Sequence, residues 1–323
     1  MAEQNEMAAA AAGPAGAIAT ASAGDRIDAM YAAVAVSARR KRRVVSIVQR
    51  GFVYLGAILT SAILLFLIGY ILVNGVPYLT PSLFAWKYTS DNVSLMPALI
   101  NTILMAALAL LFAVPIGVGS AIYLVEYAPR GSKFVQLVRI TTETLQGIPS
   151  IVYGLFGMLF FVTALGWGLS LMAGACTLAI MILPVIMRTT EEALLAVPDA
   201  YREGSFGLGA GRVRTVFRTV LPSAIPGILG GIILALGRCM GEVAALIFTA
   251  GSVASVPNFA SEGIFALFDS TRTLAVHMYV LSSEGLHMNE TFATAVVLLV
   301  LVILLNLLAN FAAGKMRKGG VDE

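Results

Sequence analysis

Charge is scarce in this chain. Asp, Glu, Lys and Arg make up 12% of its 323 residues, while 59% are hydrophobic. That charged share is about half of what a soluble domain carries, and a water-soluble fold of this length could not cover so much apolar surface. Cysteine and histidine are scarcer still, with two of each. Cys176 and Cys239 both fall inside apolar runs, which leaves no disulfide framework and no metal-ligand spacing. His277 and His287 stand singly in a connecting segment and read as surface side chains rather than ligands. No G-x-x-x-x-G-K-[ST] occurs, since Gly314–Lys315 is followed by Met316. The chain therefore has no phosphate-cradling loop with which to hold ATP itself. "GLGAG" (Gly207–Gly211) follows no strand pattern, which argues against a dinucleotide fold. Neither a Ser/His/Asp grouping nor a carboxylate pair suited to hydrolysis is present, so a membrane enzyme has little support. Nothing marks a nucleic-acid partner.

What the chain does have is long apolar runs. Six lie at Phe52–Val76, Pro97–Glu126, Thr142–Leu165, Leu169–Met187, Ile225–Gly251 and Thr291–Ala313. Each is long enough to cross about 30 Å of hydrocarbon as a helix. The expected fold class is an all-α polytopic membrane protein with six transmembrane helices. "GWG" alone separates the third and fourth runs, which predicts a tight hairpin. Pro149, with Gly147, Gly154 and Gly157 nearby, predicts a broken or kinked third helix. Glu143 and Gln146 just before it read as structural.

The few cations are placed unevenly. "RRKRR" (Arg39–Arg43) precedes the first run. Arg130, Lys133 and Arg139 lie between runs two and three, and Arg188, Arg202, Arg212, Arg214 and Arg218 between four and five. Lys315, Arg317 and Lys318 follow the last run, whereas the opposite side carries only Lys87 and Arg272. By the positive-inside rule both termini are expected in the cytoplasm, and an even number of spans agrees. The domain reading is a cytoplasmic, disordered or weakly helical tail over 1–44, a first transmembrane helix and outer loop over 45–96, a core over 97–314 and a cytoplasmic tail over 315–323. The acidic opening "MAEQNEM" with its cations downstream does not read as a secretory signal. The basic cluster sets topology, with membrane lipid as its neighbour.

The inner loop 188–222 is the most informative part of the core. Pro198 and Asp199 suit the first turn of a helix, with Tyr201, Phe206 and Leu208 on one apolar side. Gly207, Gly209 and Gly211 break it. A second short helix is predicted through Val213, Val216, Phe217 and Val220, ending toward Pro222. Such a basic, amphipathic pair either packs on the bilayer surface or offers its apolar side to a partner.

"REGSFGLG...TVLP" resembles the signature loop of ABC-importer permeases: Glu-Ala-Ala, three residues, Gly, nine residues, Ile, one residue, Leu-Pro. Glu203 falls on the Glu, Gly209 on the Gly and Leu221–Pro222 on the Leu-Pro. Gly204 and Ser205 replace the two alanines, keeping them small, and Thr219 replaces Ile. "QGIPSIVYGLFG" (Gln146–Gly157), "GRCMGEVAALIFTAG" (Gly237–Gly251) and "DSTRTLAVHMYVLSSEG" (Asp269–Gly285) are similar to the PstA-type phosphate permeases. The resemblance implies the type I ABC importer permease fold and transport of inorganic phosphate. It implies a second, PstC-type permease, a dimer of PstB-type ATPase that binds ATP and Mg, and a PstS-type phosphate-binding protein outside. No cofactor is implied for this chain. Glu203, Gly204, Ser205, Gly209, Leu221 and Pro222 would then couple it to the ATPase.

Arg238 and Glu242 are opposite charges four residues apart inside the fifth run. A charge at mid-membrane costs about 2.5–3.5 kcal/mol on insertion scales. Glu242 is one turn from Arg238 on the same face, so the pair can share a hydrogen-bonded contact. Either they neutralise each other, or they contact an anion in transit, Arg238 through its planar donor fork. Gly237 and Gly241 are spaced for close approach of another helix. An importer of molybdate or sulfate is the alternative within this class, and a self-contained secondary transporter the alternative outside it, although no internal repeat is visible.

Overall fold

The computed structural model describes residues 23–129 and 131–319. Among the described residues all regular structure is helical. Contacts divide the chain into two units, 1–69 and 70–323. The first contains most of α1 (Ala23–Gly75), which runs unbroken from Ala23 through the basic cluster into the first apolar run. The expected tail to residue 44 is thus helical from Ala23 onward, and residues 1–22 lie outside the described residues.

The second unit carries the core. Helix α2 (Met96–Ile122) closes in a wide π-turn at Tyr123–Tyr127. Helices α3 (Lys133–Gln146) and α4 (Ser150–Gly157, continued as a π-turn to Ala164) meet at a bend of 102°. The bend has a local cause: Pro149 sits at φ −59°, ψ 141°, cannot donate a backbone hydrogen bond and disfavours helix at the residue before it. Helix α5 (Leu171–Leu195) leads to short α6 (Asp199–Gly207). Next come α7 (Arg212–Thr215), a π-turn at Val216–Val220 and α8 (Leu221–Met240). Short α9 (Ala244–Thr249), α10 (Leu274–Glu284) and α11 (Met288–Gly319) follow, with short helical turns at Phe259–Glu262 and Gly263–Phe268 between α9 and α10. Among the described residues five helices are long and apolar enough to cross a membrane, and the bent pair makes up to a sixth, the number expected from the apolar runs.

Two elements differ from expectation. The second short helix of the loop is not separate, because α7, the π-turn and α8 form one candidate span, Arg212–Met240. Pro222 does not interrupt it, since proline is tolerated in the first turn of a helix and the wide turn just before absorbs the lost donor. The fifth run is not one helix. It ends at Met240, passes through Gly241 at φ −90°, ψ 0° and resumes as α9.

Between lipid-embedded helices there is no water to expel, so close packing holds them together. On α2 the buried residues Ala98, Thr102, Ala106, Ala109, Ala113, Gly117 and Ala121 recur every three or four positions and form one stripe. Against it α5 sets Leu171, Leu178, Met181, Ile182 and Ile186, all buried in one cluster with Met105. Helix α8 approaches α5 closely at Gly227 and Gly231, where any side chain would collide with Ala193 and Thr189. That is the small-residue spacing expected of Gly237 and Gly241, but those two face open space in this chain. Buried threonines return their hydroxyls to the backbone, as Thr102 does to the Ala98 carbonyl and Thr177 to that of Ala173, both at 2.7 Å.

His277 is not a surface residue. It is buried on α10, as is Arg272 just ahead of that helix. His287 is half-buried, with Nδ1 3.8 Å from Glu290.

Candidate functional site

The loop between α5 and α8 is shaped by its own residues. Pro198 precedes α6 and Asp199 occupies its first turn. Helix α6 stops where Gly209 adopts φ +83°, a left-handed conformation that costs other residues about 1–2 kcal/mol. Ser205 Oγ and Thr215 Oγ1 share a hydrogen bond of 2.8 Å that ties α6 to α7 across the turn. Glu203 is exposed and in no ion pair among the described residues. Gly204 has open space around it. Leu221 is half-buried against the cluster of Leu194, Val216 and Val220, while Pro222 is exposed. Tyr201, Phe206, Val213 and Phe217 are exposed, and Leu208 is 92% exposed. Among the described residues the loop thus presents an exposed acidic residue in no ion pair and a set of exposed apolar side chains.

Arg202 anchors this loop. Its Nη2 and Nε donate to Glu126 Oε1 at 2.7 and 3.1 Å. Its Nη2 also donates to the Leu194 carbonyl at 2.9 Å, and Nη1 to the Val197 carbonyl and Asp199 Oδ1 at 2.8 and 3.2 Å. One guanidinium therefore joins the π-turn of α2, the end of α5 and the start of α6. Sequence reasoning missed it. Arg202 reads as one of five loop cations, and nothing in spacing links it to a glutamate 76 residues away. Arg139–Glu191 and Arg188–Glu192 lace the same end of the bundle. Glu143 is exposed, and Gln146 donates to the Pro184 carbonyl at 3.1 Å, a structural contact.

Arg238 and Glu242 are placed differently from a helical i, i+4 pair. Arg238 lies in the last turn of α8, and Glu242 lies in the break that follows. Both are half-buried. They form no ion pair, because the break rotates Glu242 away. Glu242 instead accepts a hydrogen bond from the Ala245 backbone at 3.3 Å, helping to start α9. Among the described residues Arg238 makes no ion pair, while Gly237 and Gly241 beside it remain open. The contact that self-neutralisation requires is missing. What remains is a cation with a free donor fork at the broken end of an apolar helix.

Residues 113–318 match the family described as binding-protein-dependent transport system inner membrane component. The chain is 36% identical over 281 residues to the probable ABC transporter permease protein YqgI of Bacillus subtilis, covering 84% of this chain and 95% of that one. It is 34% identical over 224 residues to the phosphate transport system permease protein PstA 1 of Mycobacterium tuberculosis, covering 68% and 71%. Among solved structures, a bacterial ABC transporter involved in the import of the acidic polysaccharide alginate matches with a TM-score of 0.51 at 17% identity, over 80% of this chain and 95% of that one. That likeness concerns the fold alone.

Proposed function

The chain belongs to the binding-protein-dependent transport system inner membrane component family of ABC importer permeases, and from that premise we propose that the substrate it moves is inorganic phosphate. The observation that carries this reading is Arg238, a half-buried cation without an ion pair among the described residues, in the last turn of an apolar span just before the chain breaks at Gly241. A multivalent anion crossing a low-dielectric bundle needs such a charge, and the guanidinium fork matches two oxygens of a tetrahedral oxyanion. Glu242 nearby tempers the attraction so that the anion leaves again, as conduction requires. The similarity to permeases named for phosphate transport supports the same substrate.

In this reading Glu203, Gly204, Ser205, Gly209, Leu221 and Pro222 belong to a coupling loop seated on a partner ATPase, which holds ATP and Mg. A second permease completes the pathway, and an extracytoplasmic phosphate-binding protein delivers the anion. The basic loops and both termini face the cytoplasm.

The test is phosphate uptake by the complex reconstituted with its partner subunits. Loss of a charge-assisted contact costs about 1.5–3 kcal/mol, roughly ten- to a hundredfold in rate if it acts in the limiting step. Arg238→Gln should therefore slow uptake roughly ten- to a hundredfold in assembled complexes, Arg238→Lys should rescue only partly, and Glu242→Gln should harm uptake less or alter preference among oxyanions. Normal uptake by the double Gln variant would overturn the assignment.

A further inference from the structure

Unmet hydrogen-bonding capacity concentrates at the end of the bundle opposite the loop. Among the described residues, seven buried side-chain nitrogen and oxygen atoms lack a hydrogen bond of good geometry, and six of them belong to Asn101, Thr271, Arg272 and His277, of which His277 keeps a loose one with the Val93 backbone. So dense a group of orphans calls for a ligand or a different explanation.

Arg272 is its centre. It is 4% exposed, and its Nε and Nη2 are both orphaned. The ion pairs of the described residues involve Arg139, Arg188, Arg202 and His287, not Arg272. Its guanidinium stacks 4.4 Å from the centroid of the Tyr88 ring, a weak substitute for an anion. The Tyr88 ring also meets His277 edge-on at 6.0 Å. Burial, and then the charge of Arg272, push the His277 pKa down to about 3 despite an opposing pull from the Val93 backbone. His277 is therefore neutral at physiological pH, with one nitrogen to donate and one to accept, and offers Arg272 no compensation. The start of α10 adds its positive end to the same region. An uncompensated buried guanidinium is costly unless something supplies the missing charge.

The Asn101 orphan narrows the ligand. Asn101 Nδ2 donates to the Ser255 and Arg272 carbonyls at 2.8 and 3.4 Å. Both partners are acceptors, so the amide orientation is fixed and Oδ1 is the atom left unpaired. Unmet donors on Arg272 and an unmet acceptor on Asn101 suit an oxyanion that still carries a proton. Access is at hand. Tyr88 also lines a recess of about 610 Å³ together with Trp86, Lys87 and Ser255, and Lys87 there is exposed and cationic.

We propose that Arg272, with Tyr88, Asn101 and His277 around it, is a second oxyanion site of this permease, at the end of the bundle opposite the coupling loop, and that it takes protonated phosphate. The proposal rests on the phosphate reading above and adds a station separate from Arg238.

The test is the phosphate-dependent rise in melting temperature of the assembled complex. Arg238→Gln should keep part of the rise, and adding Arg272→Met should abolish what is left. Arg272→Lys in the same background should need about tenfold more phosphate for the half-maximal rise, since lysine lacks the fork. Sulfate, which carries no proton near neutral pH, should give little rise that depends on Arg272. Without phosphate, Arg272→Met should melt no lower than its parent, because it removes an uncompensated charge. An undiminished rise in the Arg238→Gln, Arg272→Met complex would overturn the site. If that complex fails to assemble, an unshifted half-maximal concentration with Arg272→Lys would do so. No rise with any oxyanion while uptake proceeds would also overturn it. A wild-type complex that takes up molybdate or sulfate but not phosphate would defeat the functional reading instead, and the same variants then judge Arg272 with that anion.

Discussion

Arg202 makes five side-chain hydrogen bonds to four residues on three elements. The pair it forms with Glu126 is mostly buried, with side chains 15% and 8% exposed. Removing one partner of such a pair costs about 3–5 kcal/mol, because the other charge is stranded, whereas replacing both is often near neutral. Arg202→Met should therefore lower the melting temperature of the complex, and Glu126→Gln with Arg202→Met should restore most of it. Coupling should not return with stability. In the double variant, ATP hydrolysis by the complex should respond weakly to substrate-loaded binding protein, because α6 has lost its tie to α2. If melting and stimulated hydrolysis recover together, Arg202 serves stability alone.

At the scale of elements the proposed coupling loop depends on one backbone angle. Gly209 stands at φ +83° with open space around it, so a side chain there strains the backbone without meeting a neighbour in this chain. Gly209→Val combines β-branching with a left-handed residue and should abolish the response of ATP hydrolysis to loaded binding protein, with the permease still inserted. Gly209→Asn, which tolerates that conformation better, should keep part of the response. A normal response in Gly209→Val would remove the loop from coupling. The helix and glycine turn of this loop were legible in the sequence because Pro198, Asp199 and the glycines act locally. The continuity of α7 into α8 was not, since Pro222 reads as a boundary until the wide turn before it is seen. The break after Met240 was equally hidden. Its residues are apolar on both sides, and hydropathy is blind to where a span bends.

For the molecule as a whole, the six apolar runs and the uneven cations gave the span count and a topology to test. Exposure now selects the positions: Leu286 is 81% exposed and Leu208 92%. With Cys176 and Cys239 replaced, Leu286→Cys should react with an impermeant thiol reagent from outside. Leu208→Cys should react only once the membrane is opened, in permease free of ATPase. Labelling of Leu208→Cys in sealed cells would invert the topology. Burial was the property least readable from sequence. His277 and Arg272 lie in a connecting segment that looks like surface, and only the folding of Thr271–His277 against α2, through Asn101 and Thr102, takes them out of solvent.

The unbroken span from Arg212 to Met240 has a mechanical meaning. It starts in the proposed coupling loop and ends two residues beyond Arg238, about 40 Å away at helical rise. A helix of that length acts as a connecting rod, with a wide turn near the driven end at Val216–Val220 and Pro226 further along. On the proposed function, a stroke delivered at Arg212 would be carried along this rod to Arg238. Gripping the anion and seating the loop would, on that same proposal, be one movement, made at the two ends of a single lever.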